Sequence, residues 1–156
     1  MLLVAGAGTV LLGCGEEGAA RGATVSVYVS APLRGEEAPA GRRLCAEARE
    51  QAARGRGSEG LELRVVCLDA SGADGRWALA RVGANARRAR EDSTSIAYLG
   101  EPDPRARRQS SPILEAAGIA ELEGRSGRAA VAAVDAALRE GDSSHPRAAV
   151  LDAVEG

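Results

Sequence analysis

Hydrophobic and polar positions follow two different periods along the chain, and the periods predict strands that alternate with helices. Runs of β-branched and apolar residues predict four strands, the last of them weak, at Thr24–Ser30, Leu61–Leu68, Ser95–Leu99 and Gly118–Leu122. Apolar positions three and four apart predict helices at Gly41–Arg54, Trp77–Arg90, Ser111–Ala117, Ser126–Arg139 and Pro146–Val154. Strands joined through helices pair in parallel by right-handed crossovers. The pattern therefore predicts an α/β fold, a parallel sheet with helices on both faces, in which two final helices follow each other without a strand.

Composition limits the classes of function. With 156 residues, of which 45% are apolar, the chain can bury one core, and we expect one domain. A net charge of −2 and an aromatic content of 2% argue against nucleic-acid binding. The single histidine, His145, and three widely spaced cysteines lack the ligand spacing of a zinc site, so no metal is predicted.

The first 14 residues are predicted to be a secretion signal. Residues Met1 to Gly13 form an apolar run that is too short to span a bilayer but suits a signal core. The run ends in Leu-Leu-Gly-Cys, which resembles the bacterial lipobox, and this resemblance implies lipidation of Cys14. Residues 15–23 are small and polar and are predicted to be a tether. The alternative is a buried first strand, and the lack of positive charge before Arg21 also allows a start site further upstream.

Motifs of the common enzyme classes are missing from the sequence. It has no glycine-rich phosphate loop after a strand and no GxSxG elbow, and its single histidine, His145, has no nearby serine or cysteine in a recognisable nucleophile elbow. We therefore predict no enzymatic activity and no cofactor. Cys45 and Cys67 lie on a helix and a strand that can pack together, and both a disulfide and two buried thiols remain open.

Four stretches together resemble a known family. They are Ala31–Ala38 after the first strand, Val65–Asp69, Asn85–Glu101 and Ser111–Ile119. They resemble the N-terminal lobe of the type 1 periplasmic binding proteins, which include the leucine/isoleucine/valine-binding components of ABC importers. The resemblance covers roughly residues 24–120, and residues 121–156 are similar to late helices of the family that return to the first lobe. It implies a single lobe over 24–156 from which the second lobe is missing.

The resemblance also implies a function. A member of this family would be an exported substrate-binding component of an ABC importer, capturing an amino acid or a similar small polar solute outside the membrane. Its partners would be that solute, an ABC permease and, through lipid on Cys14, the membrane. The alternative is a truncated interaction or structural module derived from the family.

Candidate ligand-binding residues follow the second and third predicted strands. They are Asp69, Ser71, Glu101 and Asp103, because ligands of this family lie at the mouth of the sheet. The same positions also fit ordinary turns. Pro102 and Pro104 remove backbone donors there, which weakens the capture of a carboxylate.

Other residues near these positions are given structural roles. Arg105, Arg107 and Arg108 are interpreted as solvated, and an anion contact is the alternative. Ser110 and Ser111 are predicted to cap a helix that has Pro112 in its first turn. Trp77 is predicted to pack at a helix start rather than to stack on a ligand.

Overall fold

A computed structural model describes residues 23–55, 61–142 and 144–156. Within these ranges the strands are β1 (Ala23–Ala31), β2 (Leu61–Asp69), β3 (Ser95–Leu99) and β4 (Ala120–Glu121). The helices are α1 (Ala38–Arg54), α2 (Leu79–Glu91), α3 (Pro104–Glu115), α4 (Gly127–Glu140) and α5 (Pro146–Glu155). The predicted signal, Cys14 and the tether up to residue 22 lie outside the described residues. None of the helices in the described ranges is long and apolar enough to cross a bilayer.

The strands form one parallel sheet in the order β2-β1-β3-β4. Central strand β1 is buried from Val25 to Ala31, as expected for a parallel strand that is covered on both faces. Val29 is paired with Cys67 of β2 on one side and with Leu99 of β3 on the other. The predicted parallel sheet is therefore confirmed.

The period of two along the strands divides the core into two layers. Val25, Val27 and Val29 pack with residues of α1, α4 and α5 on one face of the sheet. Tyr28 lies on the other face and packs with residues of α2 and α3. Helices therefore cover both faces of the sheet, as predicted. Helix α4 is followed along the chain by α5 without an intervening strand, which was also predicted.

A disulfide joins Cys45 of α1 to Cys67 of β2, with the two Cα atoms 6.1 Å apart. It resolves the two possibilities that the sequence leaves open. Because β2 is an edge strand paired with β1 alone among the described strands, the bridge attaches this edge to the helix that covers it.

The predicted start of α3 is wrong. The helix begins at Pro104, seven residues before Ser111, and Pro112 lies inside it. Asp103 caps the helix, since its side chain accepts a hydrogen bond from the Arg105 N–H at 2.7 Å. A capping aspartate followed by proline at the first helical position is a strong start signal.

Two further details of the prediction are also corrected. Ser110 and Ser111 lie within α3 and do not cap it; Ser111 Oγ donates to Glu121 Oε2 at 2.9 Å. Helix α2 begins at Leu79, so Trp77 precedes the helix and belongs to the loop after β2. This loop position brings the indole to the end of the sheet.

Candidate functional site

The strand order creates a crevice at the carboxyl end of the sheet. From β1 the chain crosses to β2 on one side, whereas β3 lies on the other side, so the loops that follow β1 and β3 diverge. Ligands of open α/β sheets bind at such a switch point. A cavity of about 310 Å³ lies there, lined by Ala31, Pro32, Glu37, Ala40, Gly41, Leu44, Trp77, Gly100 and Pro102.

One wall of the cavity is the first turn of α1. A Cβ atom on Gly41 would lie 2.0 Å from the carbonyl oxygen of Pro32, so only glycine lets the helix come this close to the end of β1. Gly100 and Pro102, from the loop after β3, also line the cavity. The cavity is therefore bounded by the start of α1 and by the loop after β3.

Trp77 supplies the aromatic surface of the cavity. Its backbone forms an antiparallel bridge with Ser71, which fixes the loop after β2. The indole is partly buried and packs against Ala70, Val82 and Ala106. The packing role predicted for Trp77 is therefore confirmed, and the same side chain also lines the cavity.

Among the described residues that line the cavity, only Glu37 has an ionisable side chain. It occupies the N-cap position of α1, but its side chain makes no capping hydrogen bond. Its Oε2 atom is buried and has no hydrogen-bond partner among the described residues. The cavity therefore carries a carboxylate that no described cation neutralises.

Asp69 and Ser71 meet at the end of β2, where they hold the loop between β1 and α1. Ser71 Oγ accepts hydrogen bonds from the N–H groups of Leu33 and Arg34, both at 3.0 Å, and donates to the Arg34 carbonyl oxygen at 3.1 Å. Asp69 Oδ1 accepts from the N–H groups of Leu33 at 3.1 Å and Ser71 at 2.9 Å. Asp69 Oδ2 pairs with Arg34 Nε at 2.6 Å. These bonds fix the loop between β1 and α1, which contributes Pro32 and Glu37 to the cavity lining.

The pKa of Asp69 reflects this loop. Burial alone would raise the pKa, but hydrogen bonds from Ser71 and the Leu33 N–H, together with Arg34, hold it well below its usual range. Asp69 is therefore ionised at neutral pH. Its negative charge is matched by Arg34 rather than directed at the cavity.

Glu101 and Asp103 are also bonded within the lobe. Glu101 is buried, with 3% of its surface exposed, and its carboxylate accepts hydrogen bonds from Tyr98 Oη at 3.0 Å and Ser110 Oγ at 2.9 Å. Burial, followed by the charge of Glu101, raises the pKa of Tyr98 well above its usual range. Asp103 caps α3. Neither residue lines the cavity, although Gly100 and Pro102 on either side of Glu101 do.

The arginines of α3 lie outside the cavity. Arg105 and Arg108 are exposed, as their solvated interpretation predicts. Arg107 is half-buried and forms an ion pair with Glu123. Among the described residues, no cluster of histidine, cysteine and carboxylate side chains is suited to holding a metal ion.

The four residues predicted from the sequence lie near the same end of the sheet as the cavity, but none of them lines it. Pro32, Glu37 and Leu44 come from the stretch after β1, whereas the predicted site residues follow β2 and β3. The sequence signal that could have indicated these residues is the length of the segment around Pro32, which connects the first strand to the first helix. Which strand ends meet depends on the strand order, and that order is not written in the local pattern.

Solved structures of similar fold include three solute-binding proteins. A leucine-binding protein from Thermotoga maritima is 22% identical, with a TM-score of 0.51 over 65% of this chain and 30% of its own. A possible leucine/isoleucine/valine-binding protein from Rhodopirellula baltica is 20% identical, with a TM-score of 0.51 over 64% of this chain and 27% of its own. An ABC transporter solute-binding protein from R. palustris, in complex with 4-hydroxybenzoate, is 18% identical, with a TM-score of 0.52 over 63% of this chain and 26% of its own.

The fold is that of one lobe of a type 1 periplasmic binding protein. No protein-family model matches the chain, and neither does any curated protein. The chain spans no more than 30% of the length of the three structures above. At these identities the likeness establishes the fold alone.

Proposed function

We propose that this chain acts as the substrate-binding component of an ABC importer and captures an amino acid or a similar small polar solute outside the membrane. The observation that carries the proposal is the cavity of about 310 Å³ at the switch point between β1 and β3. Small-molecule sites of roughly 300–1,000 Å³ are mostly apolar and contain a few placed polar groups. The cavity is at the small end of that range and therefore suits a single compact solute.

Two further features support an exported binding protein. The Cys45–Cys67 disulfide is the kind of bond that persists in oxidising compartments outside the cytosol. The similar solved structures are binding proteins of the same lobe architecture. An ABC permease as partner, and membrane attachment through lipid on Cys14, belong to the same proposal.

A truncated interaction or structural module is the second candidate. It is favoured by the hydrogen bonds of Asp69, Ser71, Glu101 and Asp103, all of which already have partners within the lobe. A lobe that binds no solute would keep these bonds, because they stabilise its loops. The two candidates therefore differ in whether a solute stabilises the native state.

Thermal unfolding in the presence of solutes separates the two candidates. Leucine, isoleucine, valine, amides and small organic anions are each added at millimolar concentration. A solute present at ten times its Kd stabilises the native state by about 1.4 kcal/mol, which raises the midpoint by several degrees. We expect such a rise for at least one amino acid or related polar solute.

A matched pair of variants locates the binding. Ala40 and Ala46 are both exposed on α1, but only Ala40 lines the cavity. Ala40→Leu is expected to abolish the rise, whereas Ala46→Leu retains it. A cooperative melt that no solute shifts would reject the importer proposal and favour the interaction module.

A further inference from the structure

The cavity has an unbalanced charge. Glu37 contributes a carboxyl group, and no arginine is among the described residues that line the cavity. The N-terminus of α1 carries only a partial positive charge, so it does not replace a cation as a partner for this group. The Glu37 Oε2 atom, buried and without a described partner, is consistent with this imbalance.

Several N–H groups beside the same cavity already have acceptors within the lobe. The N–H groups of Leu33 and Arg34 donate hydrogen bonds to the side chains of Ser71 and Asp69. The Ala38 N–H donates to the Gly35 carbonyl oxygen at 3.2 Å, and the Gly41 N–H donates to the Glu37 carbonyl oxygen at 3.4 Å. The prolines of the lining, Pro32 and Pro102, have no N–H group. The bonded N–H groups are therefore not free to replace the hydration of a ligand carboxylate, which the Glu37 carboxylate in the lining would also disfavour.

The remaining surface suits an apolar cation. Trp77 presents an indole, the aromatic ring that attracts cations most strongly, and Leu44, Ala31 and Ala40 provide apolar contacts. On the basis of the proposed function, we infer that the solute is an organic ammonium compound with a compact apolar body, bound through Glu37 and Trp77. Its carboxylate, where it has one, contributes little to affinity.

Four compounds that share one branched carbon skeleton test the inference. Leucine carries both charges, isoamylamine only the ammonium group, isocaproate only the carboxylate, and isoamyl alcohol neither. Trp77 is the only tryptophan of the chain, so its fluorescence reports on the cavity directly. We expect isoamylamine to bind at least as tightly as leucine, and isocaproate and isoamyl alcohol to bind at least about tenfold more weakly.

Paired glutamine variants test the role of Glu37. Glu37→Gln removes the charge with little change in shape and is expected to weaken isoamylamine binding about tenfold. Glu36→Gln removes the charge of the exposed neighbouring residue, which does not line the cavity, and is expected to change affinity less than twofold. The comparison of the four compounds on the unmodified chain is decisive even where Glu37→Gln folds poorly.

The outcomes distinguish this inference from the proposed function. Binding of leucine without isoamylamine, or binding of isocaproate as tight as that of isoamylamine, would overturn the ammonium inference and leave the proposed function standing. Equal affinity of Glu37→Gln and the unmodified chain for isoamylamine would overturn the role of Glu37. If no solute of any class perturbs Trp77 or the melting midpoint, the proposed function fails together with the inference.

Discussion

Replacing both Cys45 and Cys67 with serine is expected to lower the free energy of unfolding by about 3 kcal/mol and the melting midpoint by about 10 °C. The two cysteines are 22 residues apart, and a cross-link over a loop of this length restricts the unfolded chain by about that amount. In the native state the bridge also ties β2 to α1, and β2 is paired with β1 alone among the described strands. Thermal or urea unfolding of the two proteins measures the loss.

Reduction provides the control for this prediction. The variants are compared on a Cys14→Ser background, so that no third thiol can exchange. Dithiothreitol is expected to lower the midpoint of the bridged chain to that of the double serine variant, and to leave the double variant unchanged. Equal midpoints for the oxidised and reduced chain would contradict the bridge between α1 and β2.

Gly127→Ala is expected to destabilise the native state by about 3 kcal/mol, near the upper end for overpacking. Gly127 is the first residue of α4 and lies where this helix packs on α1. A Cβ atom there would lie 2.1 Å from the carbonyl oxygen of Leu44 and 2.8 Å from the backbone nitrogen of Ala48. Because both are backbone atoms, no side-chain rotation relieves the clash, and α4 must move away from the helix that forms the cavity wall.

Gly83→Ala is the matched control, since it makes the same change in α2. A Cβ atom at Gly83 would meet only the Arg87 guanidinium, whose Nη1 lies at 3.4 Å at the end of a flexible side chain. Alanine is the better helix former, so this variant is expected to be about 1 kcal/mol more stable than the unmodified chain. Urea unfolding of both variants measures the two changes in the free energy of unfolding, which are expected to have opposite signs. Equal unfolding midpoints for Gly127→Ala and Gly83→Ala would contradict the close packing of α4 on α1.

The strands were the most predictable part of the fold. The predicted bounds of β3 agree with the structure, those of β2 differ by one residue at one end, and those of β1 differ by one residue at each end. The weak fourth strand is shorter than predicted, since β4 is only Ala120–Glu121. Buried parallel strands read as short runs of β-branched residues between turn residues, and this local signal is strong. Right-handed crossovers limit the possible sheet orders, but the order β2-β1-β3-β4 is known from the structure alone.

The start of α3 was not predictable with the same certainty, because the sequence contains two helix-start signals. Pro104 follows Asp103, and Pro112 follows Ser110 and Ser111. The first pair caps the helix. The hydroxyls of the second pair bond to Glu101 and Glu121, which are 9 and 10 residues distant in sequence. Such contacts depend on the sheet and are not visible in the local pattern.

The end of the sheet at which the cavity lies was predictable, but the residues that line the cavity were not. Asp69, Ser71 and Glu101 were selected because they follow predicted strands, and all three lie near the carboxyl end of the sheet. Their ligand-binding role remains a prediction. Whether a polar group at that edge is free or already bonded depends on the path of the loops, as the Ser71 bonds to Leu33 and Arg34 illustrate.

The most direct test of the solute site is a titration followed by ¹H–¹⁵N correlation spectra, with leucine and isoamylamine as probes. The predicted result is a set of shifts at Ala40, Gly41, Gly100 and the Trp77 indole N–H, the groups around the cavity at the switch point. Shifts centred instead on the groove between α4 and α5, which Ala137, Gly141 and Ala149 line, would contradict this location. Spectra that neither probe changes would contradict a solute site in this lobe.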